Sequence, residues 1–222
     1  MDLGLTTFAT WFDGETVVKT EALKPYRFLL RRIKRLNKSL SRKVRGSHNY
    51  DKAKAKLAKL HMRVANIRED YLHKLSYRIV RDYDIIGLET LSIGSMVKNH
   101  KLSRAIMDCG WYEFRRQVEY KAKLYGKEVV LAHNKFPSSK LCSHCGMKNN
   151  SLTLGVSDWQ CKHCHTHHDR DGNAAVNLRK LAVQFGRESK MPVDDKFWKV
   201  VKGQTSNLIG EAGSSKHKHD QV

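Results

Sequence analysis

Cys142-Ser-His-Cys145 and Cys161-Lys-His-Cys164, fifteen residues apart and followed closely by His168-Asp-Arg-Asp171-Gly-Asn173-Ala-Ala-Val-Asn177, are the stretch from which the rest of the chain is read. Each CxxC pair occupies a tight turn that aims two thiolates at one ion. Two such turns close a tetrahedral shell, the geometry of a zinc ribbon with Zn–S bonds of about 2.3 Å. Cys142, Cys145, Cys161 and Cys164 are therefore read as zinc ligands. Four thiolates leave no position for water. The zinc is expected to be structural, stabilising a ribbon over residues 136–166 that has few apolar side chains of its own. His144 and His163 lie between the cysteines and are surplus to a filled shell. Cys109, the fifth cysteine, falls inside a helical pattern and reads as a buried core thiol. Cysteines paired in this way favour metal over disulfides in a reducing compartment.

Working outward, charge is the next signal. The chain has 222 residues, 42 Lys and Arg against 22 Asp and Glu, a formal net charge of +20 and a pI near 9.9. This balance argues against an ordinary neutral metabolic enzyme and points to a polyanion, either nucleic acid or an anionic membrane surface. No run of 18 apolar residues exists for a membrane span, and the N-terminal stretch lacks the basic and apolar segments of a secretory signal. Most of the excess lies between Lys24 and Arg81, which hold 19 Lys and Arg but three acids, a net of +16. Two apolar stripes run through the same segment. Leu29, Ile33, Leu36, Leu40 and Val44 form one, and Leu57, Leu60, Val64, Ile67, Tyr71, Leu75 and Ile79 the other. Gly46-Ser47-His48-Asn49 separates them, which predicts an antiparallel helical hairpin. Solvated helix faces normally mix both signs; this one does not. Arg31, Arg32, Lys34, Arg35, Arg42, Lys43 and Arg45 are accordingly candidate nucleic-acid contacts. Lys140, Lys148 and Lys162 beside the cysteines fit the same role, although ribbons also serve purely as scaffolding.

The remaining pattern alternates strands and helices. The first twenty residues read as a β-hairpin turning at Asp13-Gly14. Residues 84–89 and 128–132 read as buried strands. A helical pattern covers Leu102 to Tyr125, with Gly126 as its C-cap, and another covers Asp169 to Phe185. Residues 186–222 are polar and expected to be a flexible tail, in which the histidines of Lys216-His217-Lys218-His219 read as part of a frayed basic end.

Three acids stand out by position: Asp2 in the first strand, Glu89 closing the 84–89 strand, and Asp171 at the start of the last helix. Each has a bland reading, as a surface strand residue, a loop charge and a helix N-cap respectively. Spacing alone does not connect them.

Resemblance does. Asp2-Leu-Gly-Leu-Thr-Thr-Phe-Ala9, Gly87-Leu-Glu89-Thr-Leu91, the paired CxxC motifs and the His168–Asn177 run occur in the order that resembles the RuvC-like nuclease half of TnpB, also called OrfB, of insertion sequences. Arg42-Lys-Val-Arg-Gly-Ser-His-Asn-Tyr50 and Asn66-Ile-Arg-Glu-Asp-Tyr-Leu-His-Lys-Leu-Ser76 are similar to the same family, and the likeness runs from about Asp2 to Leu181. The resemblance implies an α/β, RNase H-like (RuvC-like) mixed sheet formed by residues 1–135 and 167–185, with a basic helical hairpin inserted at 24–81 and a zinc ribbon at 136–166. It further implies that Asp2, Glu89 and Asp171 are catalytic and hold Mg²⁺ or Mn²⁺. Phosphodiester hydrolysis needs charge stabilised on both the attacking and the leaving oxygen, which two divalent ions roughly 3.5–4 Å apart supply when held by hard carboxylate oxygens. Asn173 and Asn177, one helical turn apart, are expected to orient the site or the backbone. Ser138-Ser139 is a weaker candidate for a substrate contact.

The implied partners are DNA and a guide RNA, with no membrane. A Tyr transposase encoded by the same element is a further implied partner, and the implied location is the prokaryotic cytoplasm at the nucleoid. Members of the family are larger, with an N-terminal part that recognises a short DNA motif and grips the guide. This sequence begins one residue before Asp2, where the first strand should already be under way. A compromised fold and either a fragmentary element or a start codon further upstream are the corresponding expectations. Three functions stay open: a metal-dependent DNA endonuclease module, a non-catalytic nucleic-acid-binding module, and an inactive transposase remnant.

Overall fold

Three short strands open the chain: β1 (Asp2–Leu3), β2 (Thr7–Phe12) and β3 (Val17–Glu21), antiparallel in the order β1-β2-β3. The computed structural model describes residues 1–153 and 155–186. The turn between β2 and β3 sits at Asp13-Gly14 as the sequence predicts. Gly14 adopts φ 127°, and the Asp13 carboxylate accepts the backbone N–H groups of Glu15 and Thr16 at 2.8 and 2.7 Å. The expected hairpin is thus the outer part of a three-stranded meander. Strand β4 (Ile85–Glu89) pairs in parallel with β5 (Glu128–Ala132), Glu89 opposite Ala132. The two sheets meet at β1 and β4. The Met1 nitrogen donates to the Gly87 carbonyl at 2.5 Å and the Glu89 N–H to the Met1 carbonyl at 3.3 Å, the slanted pattern of a parallel bridge.

The basic segment forms the expected hairpin, from α1 (Pro25–Ser41) and α2 (His48–Asp82). Leu29 and Ile33 pack on Leu60 and Val64, with Leu36, Leu57 and Ile67 flanking them. α1 stops at Ser41, so Val44 falls outside the seam and is 77% exposed. Ser47 caps α2 by accepting the Tyr50 N–H, so His48 and Asn49 belong to the helix rather than to the break. At 35 residues α2 is roughly 50 Å long and serves two cores. Its first half closes on α1. Its second half carries Leu72, Leu75, Ile79 and Val80 into the main core.

α3 (Ile93–Met96), α4 (Ser103–Cys109) and α5 (Trp111–Leu124) cross from β4 back to β5. The predicted single helix over 102–125 is two, because Gly110 takes the left-handed conformation (φ 72°) and breaks the ladder. α5 ends in a Schellman motif: the Lys127 N–H reaches Ala122 O at 2.8 Å and the Gly126 N–H reaches Lys123 O at 3.4 Å, with Gly126 at φ 63°. Phe114, Val118 and Ala122 of α5 meet Leu3, Phe8, Ile86 and Leu88 of the strands in the main core, where Cys109 is also buried as expected. Burial raises the Cys109 thiol pKa to about 11.

Alternation along the strands leaves Ile85, Gly87 and Glu89 on the opposite face, which α6 (Arg170–Phe185) covers. A Cβ on Gly87 would lie 2.5 Å from Leu178 O and 2.8 Å from Ala182 Cβ. This helix therefore rides directly on the β4 backbone. Apart from Gly186, the tail expected over 186–222, with its Lys216–His219 run, lies outside the described residues.

Candidate functional site

The cysteines come together. Their sulfurs all lie within 4.8 Å of one another, the one set of three or more ligand groups so close among the described residues. The two loops that carry them are built alike. The Gly146 N–H returns to Cys142 O at 2.8 Å with Gly146 at φ 74°, and the His165 N–H returns to Cys161 O at 2.9 Å with His165 at φ 57°. Trp159 of β6 (Asp158–Gln160) and Leu152 pack beneath Cys142 and Cys161. The thiols are not alike electrostatically. Burial drives Cys145 up to about 12, whereas hydrogen bonds with Thr166 hold Cys164 down at about 5. Four neighbouring sulfurs cannot all ionise without a cation among them, and a soft, closed donor set suits one metal ion.

Sequence reasoning overlooked His168. Its Nε2 lies 3.0 Å from Cys142 Sγ and its ring sits 4.8 Å from that of Trp159, so a histidine from outside the two CxxC pairs stands against a cysteine sulfur. It stands on β7 (His167–Asp169), which pairs with β6 and leads straight into α6. The other tie is Asn173, whose side chain accepts the Ser143 N–H at 2.8 Å and donates to Leu141 O at 2.6 Å. Asn177 donates to Ser138 O and Leu141 O, both at 2.8 Å. Both asparagines thus hold backbone, as one of the two expectations had it, and Lys180 adds a bond to Ser143 O. Their i, i+4, i+7 spacing was the available signal. Ser138, the weaker candidate for substrate contact, is buried.

The acids occupy three separate elements. Leu3 and Leu88 point into the main core, so their neighbours Asp2 and Glu89 face α6. Asp171 lies in the first turn of α6, but the cap is Asp169, whose carboxylate accepts the Gly172 N–H at 2.9 Å and pairs with Lys19 at 2.7 Å. The bland reading of Asp171 as a cap therefore goes to its neighbour. Asp2, Glu89 and Asp171 are partly exposed and act on one another. Burial, then the charges of Glu89 and Asp171, push the Asp2 pKa well above the usual carboxylate range. Burial lifts Glu89 to about 7, against a hydrogen bond from the Leu3 N–H to its carboxylate and with a further push from Asp171. Their oxygens are less tightly grouped than the sulfurs. The Asp2 and Glu89 carboxyls, both lifted in this way, are hard oxygens of the kind a divalent ion would relieve.

Arg31, Arg32, Lys34, Arg35, Arg42, Lys43 and Arg45 are all exposed along α1 and the loop after it. No described helix is long and apolar enough to cross a membrane.

Residues 1–100 match the OrfB_IS605 family, described as "Probable transposase", and residues 111–178 match "Cas12f1-like, TNB domain". The chain belongs to the TnpB/OrfB family. A "Putative RNA-guided DNA endonuclease" of Streptomyces pristinaespiralis is 41% identical over 178 residues, 80% of this chain and 43% of that protein. InsQ of Escherichia coli K12, with the same description, is 32% identical over 80% of this chain and 47% of its own length. This TnpB-family chain thus spans less than half of those relatives. The solved structure of a Cas12f1–sgRNA–target DNA complex superimposes with TM-score 0.53 at 16% identity, covering 79% of this chain and 47% of that one. The likeness extends the mixed α/β architecture to that fold.

Proposed function

We propose that this chain is the RuvC-like, RNase H-like nuclease module of an RNA-guided DNA endonuclease, with 1–135 and 167–185 as the nuclease domain and 136–166 as a zinc ribbon. What carries the reading is that the carboxyls of Asp2 on β1 and Glu89 on β4 are both pushed above the usual carboxylate range, first by burial, with the charge of Asp171 on α6 raising each further. The strand arrangement supports it: an antiparallel trio continued by a parallel pair, with two of the acids at the seam. In this reading Asp2, Glu89 and Asp171 hold Mg²⁺ or Mn²⁺, and Cys142, Cys145, Cys161 and Cys164 hold Zn²⁺. When bound, the hard ions supply positive charge to the attacking and leaving oxygens of a phosphodiester. The protein's own part is positioning. The Leu3 N–H fixes one Glu89 oxygen, Asp169 holds the start of α6, and Asn173 and Asn177 lock the ribbon's entry to that helix. The exposed cations of α1 carry phosphates of DNA or a guide RNA.

Purified chain with Mg²⁺ or Mn²⁺ is expected to cleave single-stranded DNA weakly. Asp171→Ala and Glu89→Ala should each abolish cleavage and leave binding intact. Cleavage that survives either change, or that proceeds in chelator, removes the reading. A second reading rests on the +16 hairpin, which needs no acids to bind: steeply salt-dependent binding without any metal-dependent cleavage would favour a non-catalytic module.

A further inference from the structure

Phe28 stands on α1 with 84% of its surface exposed, more than any other large apolar side chain among the described residues. It takes no part in the α1–α2 seam, which closes through Leu29 and Ile33. Beside it lies a cavity of about 610 Å³ with apolar walls from Leu23, Pro25 and Ile67, also lined by Lys24 and Arg27. Arg31 and Arg32 follow Phe28 at the next turn and are exposed. Between Lys24 and Tyr50 the sequence contains no Asp or Glu.

We propose that Phe28 and this cavity form a stacking site for an unpaired base of a single nucleic-acid strand, with Lys24, Arg27, Arg31 and Arg32 neutralising the flanking phosphates. The inference rests on the nucleic-acid reading above and adds the site and the strandedness. An aromatic face among cations matches the two surfaces a single strand offers, a flat base and a charged backbone, and stacking is indifferent to which base is presented. A duplex keeps its base faces to itself, so it engages the cations but not the ring. A second copy of this chain is disfavoured by charge, because each copy brings a +16 hairpin to the contact.

The test is fluorescence anisotropy of the full chain with labelled oligothymidylate, an abasic strand of equal length, and a duplex. Phe28→Ala is expected to weaken oligothymidylate binding about tenfold while leaving the abasic strand, the salt slope and the thermal melt unchanged. Phe28→Trp should retain affinity, and its added emission should be quenched on binding. Joint Arg31→Ala and Arg32→Ala substitution should weaken all three ligands and flatten the salt dependence. The stacking site is overturned if Phe28→Ala binds oligothymidylate like the parent, or loses as much on the abasic strand, or changes only self-association. If the arginine substitutions still weaken binding in those cases, the nucleic-acid reading survives without the stacking site. A parent chain that binds no strand removes both.

Discussion

The two donor sets proposed for this molecule are built in opposite ways. The cysteines fall within 23 residues of sequence, on two loops that repeat the same backbone turn. The acids of the proposed site come from residues 2, 89 and 171, on two strands and a helix far apart in sequence. A local site can be recognised from spacing, since each loop makes its own geometry. A site assembled from distant elements inherits its geometry from the whole fold, and the fold has to hold like charges together. The two should therefore respond in opposite directions when a donor is removed.

The largest effect should follow loss of a cysteine. The ribbon has a small apolar cluster, with Leu152 and Trp159 as its large members among the described residues, and metal binding to such modules is worth about 10–16 kcal/mol in isolated peptides. Cys161→Ser, or chelation of the parent, should abolish ordered structure over 136–166 and raise amide exchange there to unprotected rates. The α1–α2 hairpin should stay protected, since its core is separate. Metal analysis should find one zinc per chain. Protection of the ribbon in fully metal-free protein would end the contrast.

Loss of an acid should do the reverse to stability. Glu89 titrates near 7 in the folded chain against an ordinary 4.5, so between those values the folded state binds more protons than the unfolded one. The Glu89 contribution to metal-free stability therefore falls as pH rises through that window. Glu89→Gln removes the penalty, keeping an oxygen to accept from Leu3. It should abolish cleavage yet stabilise metal-free protein at pH 8 by about 1–2 kcal/mol, after discounting for partial exposure, or roughly 2–8 °C in Tm. At pH 4 the two proteins should melt together. Adding Mg²⁺ should stabilise the parent most above pH 7 and Glu89→Gln little. An advantage of Glu89→Gln over the parent that fails to grow from pH 5 to 8 without metal would show that Glu89 is not held protonated by its site.

α6 joins the two regions, and cutting that joint should have an intermediate effect. Asn173 is almost fully buried and bonded on both sides of its amide. Asn173→Leu strands the Ser143 N–H, and the destabilisation should be about 1–3 kcal/mol. Asn177→Leu should be milder, because Asn173 still donates to Leu141 O. Equal losses for the two would show that the clamp does not share its carbonyls as drawn.

What the sequence disclosed follows the same division. The hairpin stripes, the Asp13-Gly14 turn, the Gly126 cap and both CxxC loops were readable because each is settled within a few residues. Gly110 was readable as a glycine but not as a break, since its left-handed turn is set against Arg68 and Leu72 of another helix. Asp108 gave no signal at all. It is buried and accepts the Tyr26 and Arg27 N–H groups at 3.1 and 3.2 Å, capping α1 from 82 residues away because Lys24 offers no cap of its own. The grouping of Asp2, Glu89 and Asp171 came from family resemblance, and only the alternation in β1 and β4 gives it a physical basis.

The smallest expected effect lies in the repeated turn itself. Gly146 and His165 hold equivalent left-handed positions, φ 74° and 57°, each just after the second cysteine of its pair. Glycine takes that conformation freely, whereas a residue with a Cβ is strained there by about 1–2 kcal/mol. The backbone entropy that glycine loses on folding offsets roughly half of that. His165→Gly should therefore raise the stability of the zinc-loaded ribbon by no more than about 1 kcal/mol, read as a slower loss of metal to a competing chelator. The reciprocal Gly146→Ala should lower it by a similar amount. If His165→Gly instead weakens metal retention, the histidine ring contributes to the second loop in a way that backbone geometry does not account for, and the two loops are equivalent in shape only.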